Sequence, residues 1–335
     1  MQYRAITSNS GYMRQGLALA SWLLLIVLLG PSLAYAEDAH SWLKRMNAAV
    51  HGLNYTGTYV YISGDQIDTM QIVHRADESG EHERLLSLNG EAREILRNSE
   101  QVTCILPADR SVIIGQHKAG SGLPALVPGE VLEFSKLYEL ELIGRDRIAG
   151  HPAIILSIEP KDKMRYGYRI WLEEDSAMVL RSDILDASGK VMEQMMFTEL
   201  MMQSPVSPHM LEPTVDYSQF KVITDHFAQA KSTADIHNAN WSFEQMPKGF
   251  KIASQSVKTM PMKKYPVKHF VLSDGLATVS VYIEKSGIDE QMLEGESSMG
   301  SVNAYGRQIA DHRVTVMGEV PRDTVRQIAE AVARN

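Results

Sequence analysis

The stretch that decides the fold is residues 138–202, which read YELELIGRDRIAGHPAIILSIEPKDKMRYGYRIWLEEDSAMVLRSDILDASGKVMEQMMFTELMM. It holds five strand-like apolar runs separated by short turn signals, such as the turn at 186–189, where Gly189 is available for a positive φ. This pattern is typical of an antiparallel meander. Most runs alternate apolar and polar residues, so one face of the predicted sheet covers something apolar. What lies under that face is the functional question.

Upstream of this stretch, the sequence predicts a helix followed by more strands. Residues 38–53 place Trp42, Leu43, Met46 and Val50 at three- and four-residue steps, which is the period of an amphipathic helix. Because no βαβ alternation appears, we predict one antiparallel unit over residues 38–202, with a loop at 115–129 across the mouth of the sheet. The strand-like runs before that loop lie at 56–63, 69–75, 83–88, 92–97, 101–106 and 111–114.

A second, smaller unit follows a proline-rich connection. Pro205, Pro208 and Pro213 indicate a domain boundary, and we predict a linker over residues 205–240. Residues 241–335 contain five strand-like runs and end in a helical pattern at 321–334. This order predicts an α+β unit with one helix across a small sheet.

Residues 1–36 have the pattern of a secretory signal peptide. Two arginines and no acids accompany an apolar run at 17–29, and a small-x-small motif closes the segment at 34–36. We predict cleavage between Ala36 and Glu37. An uncleaved anchor is the alternative, but the run is shorter than the roughly 20 apolar residues of a membrane span. The rest of the chain is expected to be exported, with domains at 37–204 and 241–335.

Charge and cysteine content narrow the function classes. The net charge is −8 at pH 7, and removal of the basic signal segment makes the chain more acidic still. Such a chain is a poor nucleic-acid binder, because that binding depends on lysine and arginine at the phosphates. The single cysteine, Cys104, cannot form an internal disulfide and lies in an apolar run, which favours a packed thiol.

No motif in the chain carries recognisable chemistry. The sequence lacks HExxH, CxxC, GxSxG, GxGxxG and Walker A patterns, and residues 295–300 miss the nucleophile-elbow spacing by one residue. The histidines are scattered without a local ligand pair. We therefore predict no catalytic residues, no metal site and no cofactor, and we expect a binding protein rather than an enzyme.

Two surfaces remain as binding candidates. Methionines and aromatic residues are over-used where one surface must accept variable apolar shapes, and here they are abundant in the large unit. Core filling is the alternative for any one of them. The candidates for an apolar ligand pocket are Tyr59, Tyr61, Trp171, Met178, Met192, Met196 and Phe197. In the small unit, a lysine cluster that includes Lys258, Lys263 and Lys264 could dock an acidic partner, with an ordinary solvated face as the alternative.

Short segments spread over the whole exported chain resemble the MucB/RseB family in their order and spacing. None of them is a catalytic signature. They are residues 41–43 (SWL), 53–61 (LNYTGTYVY), 72–75 (IVHR), 83–86 (ERLL), 88–90 (LNG), 93–95 (REI), 150–153 (GHPA), 165–172 (RYGYRIWL), 300–305 (GSVNAY) and 314–321 (VTVMGEVP).

The resemblance implies a periplasmic negative regulator of an envelope-stress sigma factor. Members of the family bind the periplasmic part of a membrane anti-sigma factor and shield it from the site-1 protease. Their large domain resembles the lipoprotein carrier LolA, where lipid or lipopolysaccharide fragments enter and trigger release. Their small domain makes much of the anti-sigma contact, and the candidates for it here are Lys258, Lys263, Lys264, Tyr305 and Arg307. Self-association is common in the family, so we expect a homo-oligomer.

The fold class that follows is mainly β with α+β elements. A LolA-like half-open antiparallel β-barrel is expected to precede a smaller α+β C-terminal domain. Two other functions stay open: a periplasmic lipid or lipoprotein carrier, and an envelope hydrolase. A carrier barrel alone has no need of the second domain, which favours the regulator.

Overall fold

A computed structural model describes residues 38–116, 123, 136–202, 205–225, 241–258, 266–286 and 294–335. The predicted signal peptide and most of the predicted loop at 115–129 lie outside these residues. The chain opens with helix α1, Ala39–Gly52. Asp38 caps this helix by accepting a hydrogen bond from the Ser41 amide at 2.7 Å. Among the described residues, no helix has both the length and the apolar character that a membrane crossing requires.

The large domain is built on one twelve-stranded sheet that does not close. Its spatial order is β12-β6-β5-β4-β3-β2-β1-β11-β10-β9-β8-β7, and all neighbours are antiparallel except the parallel pair β12 and β6. Two meanders therefore meet where β1 pairs with β11. The strands are β1 (Tyr55–Ser63), β2 (Gln66–Asp77), β3 (Gly80–Ser87), β4 (Glu94–Arg97), β5 (Gln101–Leu106), β6 (Ser111–Gln116), β7 (Tyr138–Ile148), β8 (His151–Pro160), β9 (Gly167–Glu173), β10 (Val179–Leu185), β11 (Val191–Met202) and β12 (Lys221–Asp225).

Helix α1 covers one face of this sheet, which we call the covered face. Its apolar stripe of Trp42, Leu43, Met46 and Val50 is buried in one cluster with sheet residues such as Ile72. The amphipathic period predicted for this segment is thus satisfied by the sheet beneath it. This packing is the main apolar core of the large domain.

A β-bulge decides which residues of β11 reach the covered face. Tyr59 lies opposite Phe197, but the preceding Thr58 lies opposite Glu199, so Thr198 is the extra residue. A bulge resets the alternation of side chains along a strand. Leu200 is therefore buried on the same side as Phe197, although the two are three positions apart.

Residues 205–225 return across the large sheet before the small domain begins. They contain a short 3-10 helix at Pro208–Leu211 and then β12, which joins the sheet edge beside β6. Arg84 donates to the Met210 carbonyl at 3.0 Å, and Glu94 accepts from the Thr214 hydroxyl at 2.8 Å. This part of the predicted linker is thus bonded to the large domain, while residues 226–240 lie outside the described residues.

The small domain is a six-stranded antiparallel sheet with one helix packed on it. The sheet order is β14-β15-β16-β19-β18-β17. The strands β13 and β20 form a separate two-stranded antiparallel sheet. Valines of β16 and β19 form its core with the helix. The elements are β13 (Trp241–Phe243), β14 (Lys251–Lys258), β15 (Val267–Ser273), β16 (Thr278–Lys285), β17 (Gly295–Met299), β18 (Val302–Ile309), β19 (His312–Gly318), α2 (Arg322–Ala331) and β20 (Val332–Arg334).

The predicted fold class is confirmed: the protein is mainly β, with a large antiparallel sheet that stays open and a separate, smaller α+β domain. The terminal helical pattern at 321–334 is shorter in the structure. Helix α2 ends at Ala331, because Val332–Arg334 pairs as β20 with β13.

We expect Gly57→Ala to destabilise the large domain. A Cβ atom at Gly57 would lie 2.6 Å from the Glu199 carbonyl oxygen and 2.8 Å from the Phe197 ring, so the bulged strand must shift. Overpacking of this kind lowers the free energy of unfolding by about 1–3 kcal/mol, measured by urea denaturation. Gly52→Ala is the control, because a Cβ atom there meets nothing within 4 Å. Equal stability of the two variants would contradict the bulged pairing.

Candidate functional site

The predicted pocket residues divide between the two faces of the large sheet. Tyr59 and Phe197 meet on the covered face, with ring centroids 5.8 Å apart in an edge-to-face arrangement, and both are buried. Tyr61 follows on the same face and is half-buried. Met178 is fully buried just before β10. These four side chains belong to or border the core under helix α1.

Trp171 and Met196 lie on the second face, opposite the covered one. Both stand opposite Arg181 in neighbouring strands, so the three share one side of the sheet. The Arg181 guanidinium stacks 4.1 Å from the Trp171 ring centroid, and the indole nitrogen of Trp171 donates to Asp146 at 2.9 Å. The tryptophan thus contacts charged neighbours on the second face while it belongs to the apolar cluster of the large domain.

A cavity of about 460 Å³ opens at one end of β1 and β11. Ile62 and Met192 form part of its apolar wall. Glu193 of the large domain and Gly300 of the small domain both line it, so the cavity lies where the two domains meet. Charged residues of the lining are Asp65, Asp186 and Lys190. Its volume is within the range of small-molecule pockets, and charged side chains stand beside apolar ones in its lining.

The predicted partner-binding residues are only partly described. Lys263 and Lys264 lie outside the described residues, and Lys258 ends the edge strand β14. Tyr305 and Arg307 lie on β18 opposite Val316 and Val314, so both point to the side of the sheet that helix α2 covers. Both are half-buried there. The structure therefore brings Tyr305 and Arg307 together.

A buried ion pair joins the two domains. Arg165, between β8 and β9, donates through Nη1 to Asp274 Oδ2 at 2.5 Å, and both side chains are fully buried. Arg165 also donates to Asp162 at 2.9 Å and to the Lys248 carbonyl at 2.7 Å. The guanidinium lies between the rings of Tyr138 and Phe250, 5.6 and 5.4 Å from their centroids. We use the name joint for the contact region between the two domains, which includes Arg165, Tyr138 and Glu193 of the large domain and Lys248, Asp274 and Ser301 of the small domain.

Asp274 is held by donors from both domains. Its Oδ1 atom accepts from the Leu276 amide at 2.9 Å and the Ala277 amide at 2.7 Å, which fixes the turn between β15 and β16. Its Oδ2 atom accepts from the Tyr138 hydroxyl at 3.1 Å. Burial and the charge of Asp274 raise the pKa of Tyr138 far above its usual value, so this hydroxyl stays a donor.

Apolar contacts seal the joint around these charges. Leu276, at the tip of the turn between β15 and β16, is buried in the core of the large domain. Gly249 faces Leu137 so closely that an added Cβ atom would lie 2.4 Å from its Cδ1 atom. Water is thus excluded from the ion pair on both sides, which strengthens it and makes its partners interdependent.

A second group of contacts lies farther along the joint. Buried Glu193 of β11 accepts from the Tyr61 hydroxyl, from Ser63 Oγ at 3.0 Å and from the Ser301 amide at 2.8 Å. Asn303 donates to the Tyr166 hydroxyl at 2.9 Å. These bonds run from the large sheet to the hairpin of β17 and β18.

Sequence reasoning missed the residues of the joint. Arg165 and Asp274 stand 109 positions apart, and no local pattern links them. A weak signal existed, because Arg165 is a charge within the family-like run at 165–172 and Asp274 precedes Gly275 in a turn. No group of three or more metal-ligating side chains was found within the described ranges. The contacts of the joint fix the position of the small domain against the large domain.

The chain matches two family models over most of its length. The MucB/RseB N-terminal domain model covers residues 38–215, and the MucB/RseB C-terminal domain model covers residues 235–333. Among curated proteins it is similar to the sigma factor AlgU regulatory protein MucB of Pseudomonas aeruginosa, at 29% identity over 92% of this chain and 96% of that protein. It is also similar to the sigma-E factor regulatory protein RseB of Escherichia coli K12, at 24% identity over 93% of this chain and 97% of that protein.

Solved structures share both domains. The complex of Pseudomonas aeruginosa MucA and MucB matches with a TM-score of 0.69 and 27% identity, covering 89% of this chain and 99% of that one. MucB crystallised alone matches with a TM-score of 0.63 and 27% identity, covering 91% and 100%. The likeness therefore covers most of both domains.

We expect Asp274→Asn to destabilise the protein by about 3–5 kcal/mol, because it leaves the buried Arg165 charge without its main partner. Urea denaturation measures the loss. Asp162→Asn is the matched control: Asp162 is the half-exposed partner of the same guanidinium, so its loss should stay below about 1 kcal/mol.

The double change Arg165→Met with Asp274→Asn should recover part of the stability that Asp274→Asn loses alone, since it removes the unpaired buried charge and keeps a side-chain oxygen for the Leu276 and Ala277 amides. If Asp274→Asn and Asp162→Asn lower stability equally, the ion pair does not hold the joint.

Proposed function

Because the chain belongs to the MucB/RseB family, we propose that it is a periplasmic regulator that binds the periplasmic region of a membrane anti-sigma factor. The observation that carries this proposal is the likeness of both domains to MucB in its complex with MucA. The relatives are named as regulators of AlgU and of sigma-E. The predicted signal peptide at 1–36 supports export to the compartment where such a partner is exposed.

We further propose that binding shields the anti-sigma factor from site-1 proteolysis and that lipid or lipopolysaccharide fragments release it. The physical requirement is linkage. A lipid that binds the partner-free form more tightly by some factor weakens partner binding by that same factor. A lipid with equal affinity for both forms would release nothing, however tightly it bound.

The covered face offers a route for this coupling. Tyr59 and Phe197 are packed there under helix α1, so an acyl chain that enters must displace the helix or these side chains. Tyr138 and Leu276 belong to the same apolar cluster and also contact the joint. Rearrangement of that core would therefore reach Asp274 directly. Among the predicted pocket residues, the covered-face set of Tyr59, Tyr61 and Phe197 suits this role better than Trp171 and Met196.

For the partner, we propose the small domain as the main contact, through Lys258, Lys263 and Lys264 together with Tyr305 and Arg307. Charge complementarity would steer an acidic segment toward the lysines. We also propose self-association of the exported chain, which follows from membership of the family alone.

A periplasmic lipid or lipoprotein carrier is the second candidate function. The open twelve-stranded sheet with a helix on one face favours it. The joint argues against it, since a carrier has no need of a second domain held by a buried ion pair. The two functions differ in whether a membrane protein is bound in the absence of lipid.

A pull-down from membranes with the signal-free chain separates the two functions. The regulator is expected to capture an anti-sigma factor, identified by mass spectrometry, and to lose it when lipopolysaccharide is added. A carrier would capture lipid or lipoprotein and no anti-sigma factor. Capture that lipopolysaccharide leaves unchanged would retain the binding function and remove the lipid-release step.

We expect Lys263→Glu combined with Lys264→Glu to weaken anti-sigma binding by at least tenfold without changing the unfolding midpoint, because it reverses charge at the proposed contact. Isothermal titration with the partner's periplasmic region measures the affinity. Lys44→Glu with Lys221→Glu is the charge-matched control, since both lysines are exposed on the large domain. The same affinity for both double variants would remove the lysines from the interface.

A further inference from the structure

The small domain ends in an edge strand, β14, that pairs on one side only. It forms one end of the six-stranded sheet, and within the part of the chain that the structure describes its only neighbour is β15. Backbone N–H and C=O groups that point away from β15 are therefore open to a further strand. Edge strands that do not pair further usually carry protection, such as charged side chains along the strand or a proline.

The middle of β14 carries no such protection. Residues 252–257 read IASQSV, an uncharged run with lysines only at the two ends of the strand. Ile252 and Val257 are 48% and 41% exposed, although both are β-branched apolar residues. The edge strand β7 of the large sheet differs, since its exposed part contains the charged run RDR at residues 145–147. The composition of β14 is thus that of a strand that pairs on both sides.

The register shows which way the exposed apolar side chains of β14 face. Ile252 lies opposite Leu272 and Gln255 lies opposite Phe270, and both of these partners are buried in the cluster with helix α2. Val257 follows Gln255 by two residues, so it faces the same side of the sheet. Both exposed residues therefore lie at the rim of the small-domain core. An added strand would cover them with its own apolar side chains at every second position.

The sequence around β14 is strongly basic. Residues 245–268 contain six lysines and no acidic residue, whereas the net charge of the whole chain is −8. Antiparallel pairing of β14 with a second copy of itself would bring the lysines at its two ends together, and like charges opposite each other destabilise a strand pair. An acidic segment places carboxylates at the same positions. Charge therefore favours an acidic partner segment over a second copy of this chain.

We propose that the acidic segment of the partner binds as an added β-strand along β14, with apolar side chains at every second position against Ile252 and Val257. The inference rests on the proposed function, because it assigns a binding mode to the partner proposed there. Main-chain hydrogen bonds of the extended segment then provide the affinity, and the lysines steer it to the edge. A partner held by lysine side chains alone would leave the backbone amides of β14 unbonded.

Amide hydrogen exchange of β14, with and without the partner's periplasmic region, tests the proposal. Along an antiparallel edge strand, every second amide points away from the sheet. Within residues 254–258, the outward amides should exchange quickly in the free signal-free chain. We expect the bound partner to slow their exchange by about tenfold or more, while the amides that already bond to β15 change less.

Val257→Lys separates strand addition from attraction between charges alone. The change adds a positive charge but removes an apolar side chain that the added strand would bury. We therefore expect the affinity for the partner's periplasmic region, measured by isothermal titration, to fall by about tenfold. Attraction between charges alone predicts equal or tighter binding. Val222→Lys is the matched control: Val222 is a 56% exposed valine on the edge strand β12 of the large domain, and this variant should bind like the wild type.

Each contrary result has a separate meaning. Partner binding that leaves the outward amides of β14 unprotected would overturn the inference and leave the proposed function standing. So would equal or tighter binding by Val257→Lys with an unchanged unfolding midpoint. Alternate protection of β14 in the chain without partner, rising with its concentration, would assign the edge to a second copy and overturn the choice of an acidic partner. If the partner's region does not bind the wild-type chain, the proposed function and this inference fail together.

Discussion

The ion pair of Arg165 and Asp274 is the interaction on which the arrangement of the two domains depends. Both side chains are completely buried, so neither charge is stable there without the other. Asp274 also fixes the turn that carries Leu276 into the core of the large domain. A single contact therefore couples the position of the small domain to the packing under helix α1. The joint is the natural place for a ligand in one domain to affect a partner on the other.

Local features of the fold could be predicted from the sequence because they depend on near neighbours in the chain. The period of helix α1 and the alternation of each strand can be recognised within the segment of sequence that forms it. Pairings between distant segments could not be predicted in this way. The meeting of β1 with β11 and the parallel pair of β6 with β12 depend on the whole sheet. The joint is the extreme case, since its two charged partners belong to different domains.

The predicted pocket residues show what composition alone cannot decide, which is the face of the sheet on which each side chain lies. Methionines and aromatic residues of β11 and its neighbours were grouped by type, but the strand register separates Phe197 on the covered face from Met196 on the second face. Trp171 stacks with Arg181 on the second face and also belongs to the apolar cluster of the large domain. The function itself came from the family resemblance. The family resemblance did not predict the buried ion pair of Arg165 and Asp274, which connects the two domains physically.

The most direct test of this account is the distance between the two domains, measured by pulsed electron resonance with spin labels at Gln71 and Glu330. Both positions are exposed, and Cys104 is replaced by alanine. The account predicts one narrow distance distribution for the intact joint and a broad, longer one for Asp274→Asn. A narrow, unchanged distribution in that variant would contradict the claim that the buried ion pair holds the domains together.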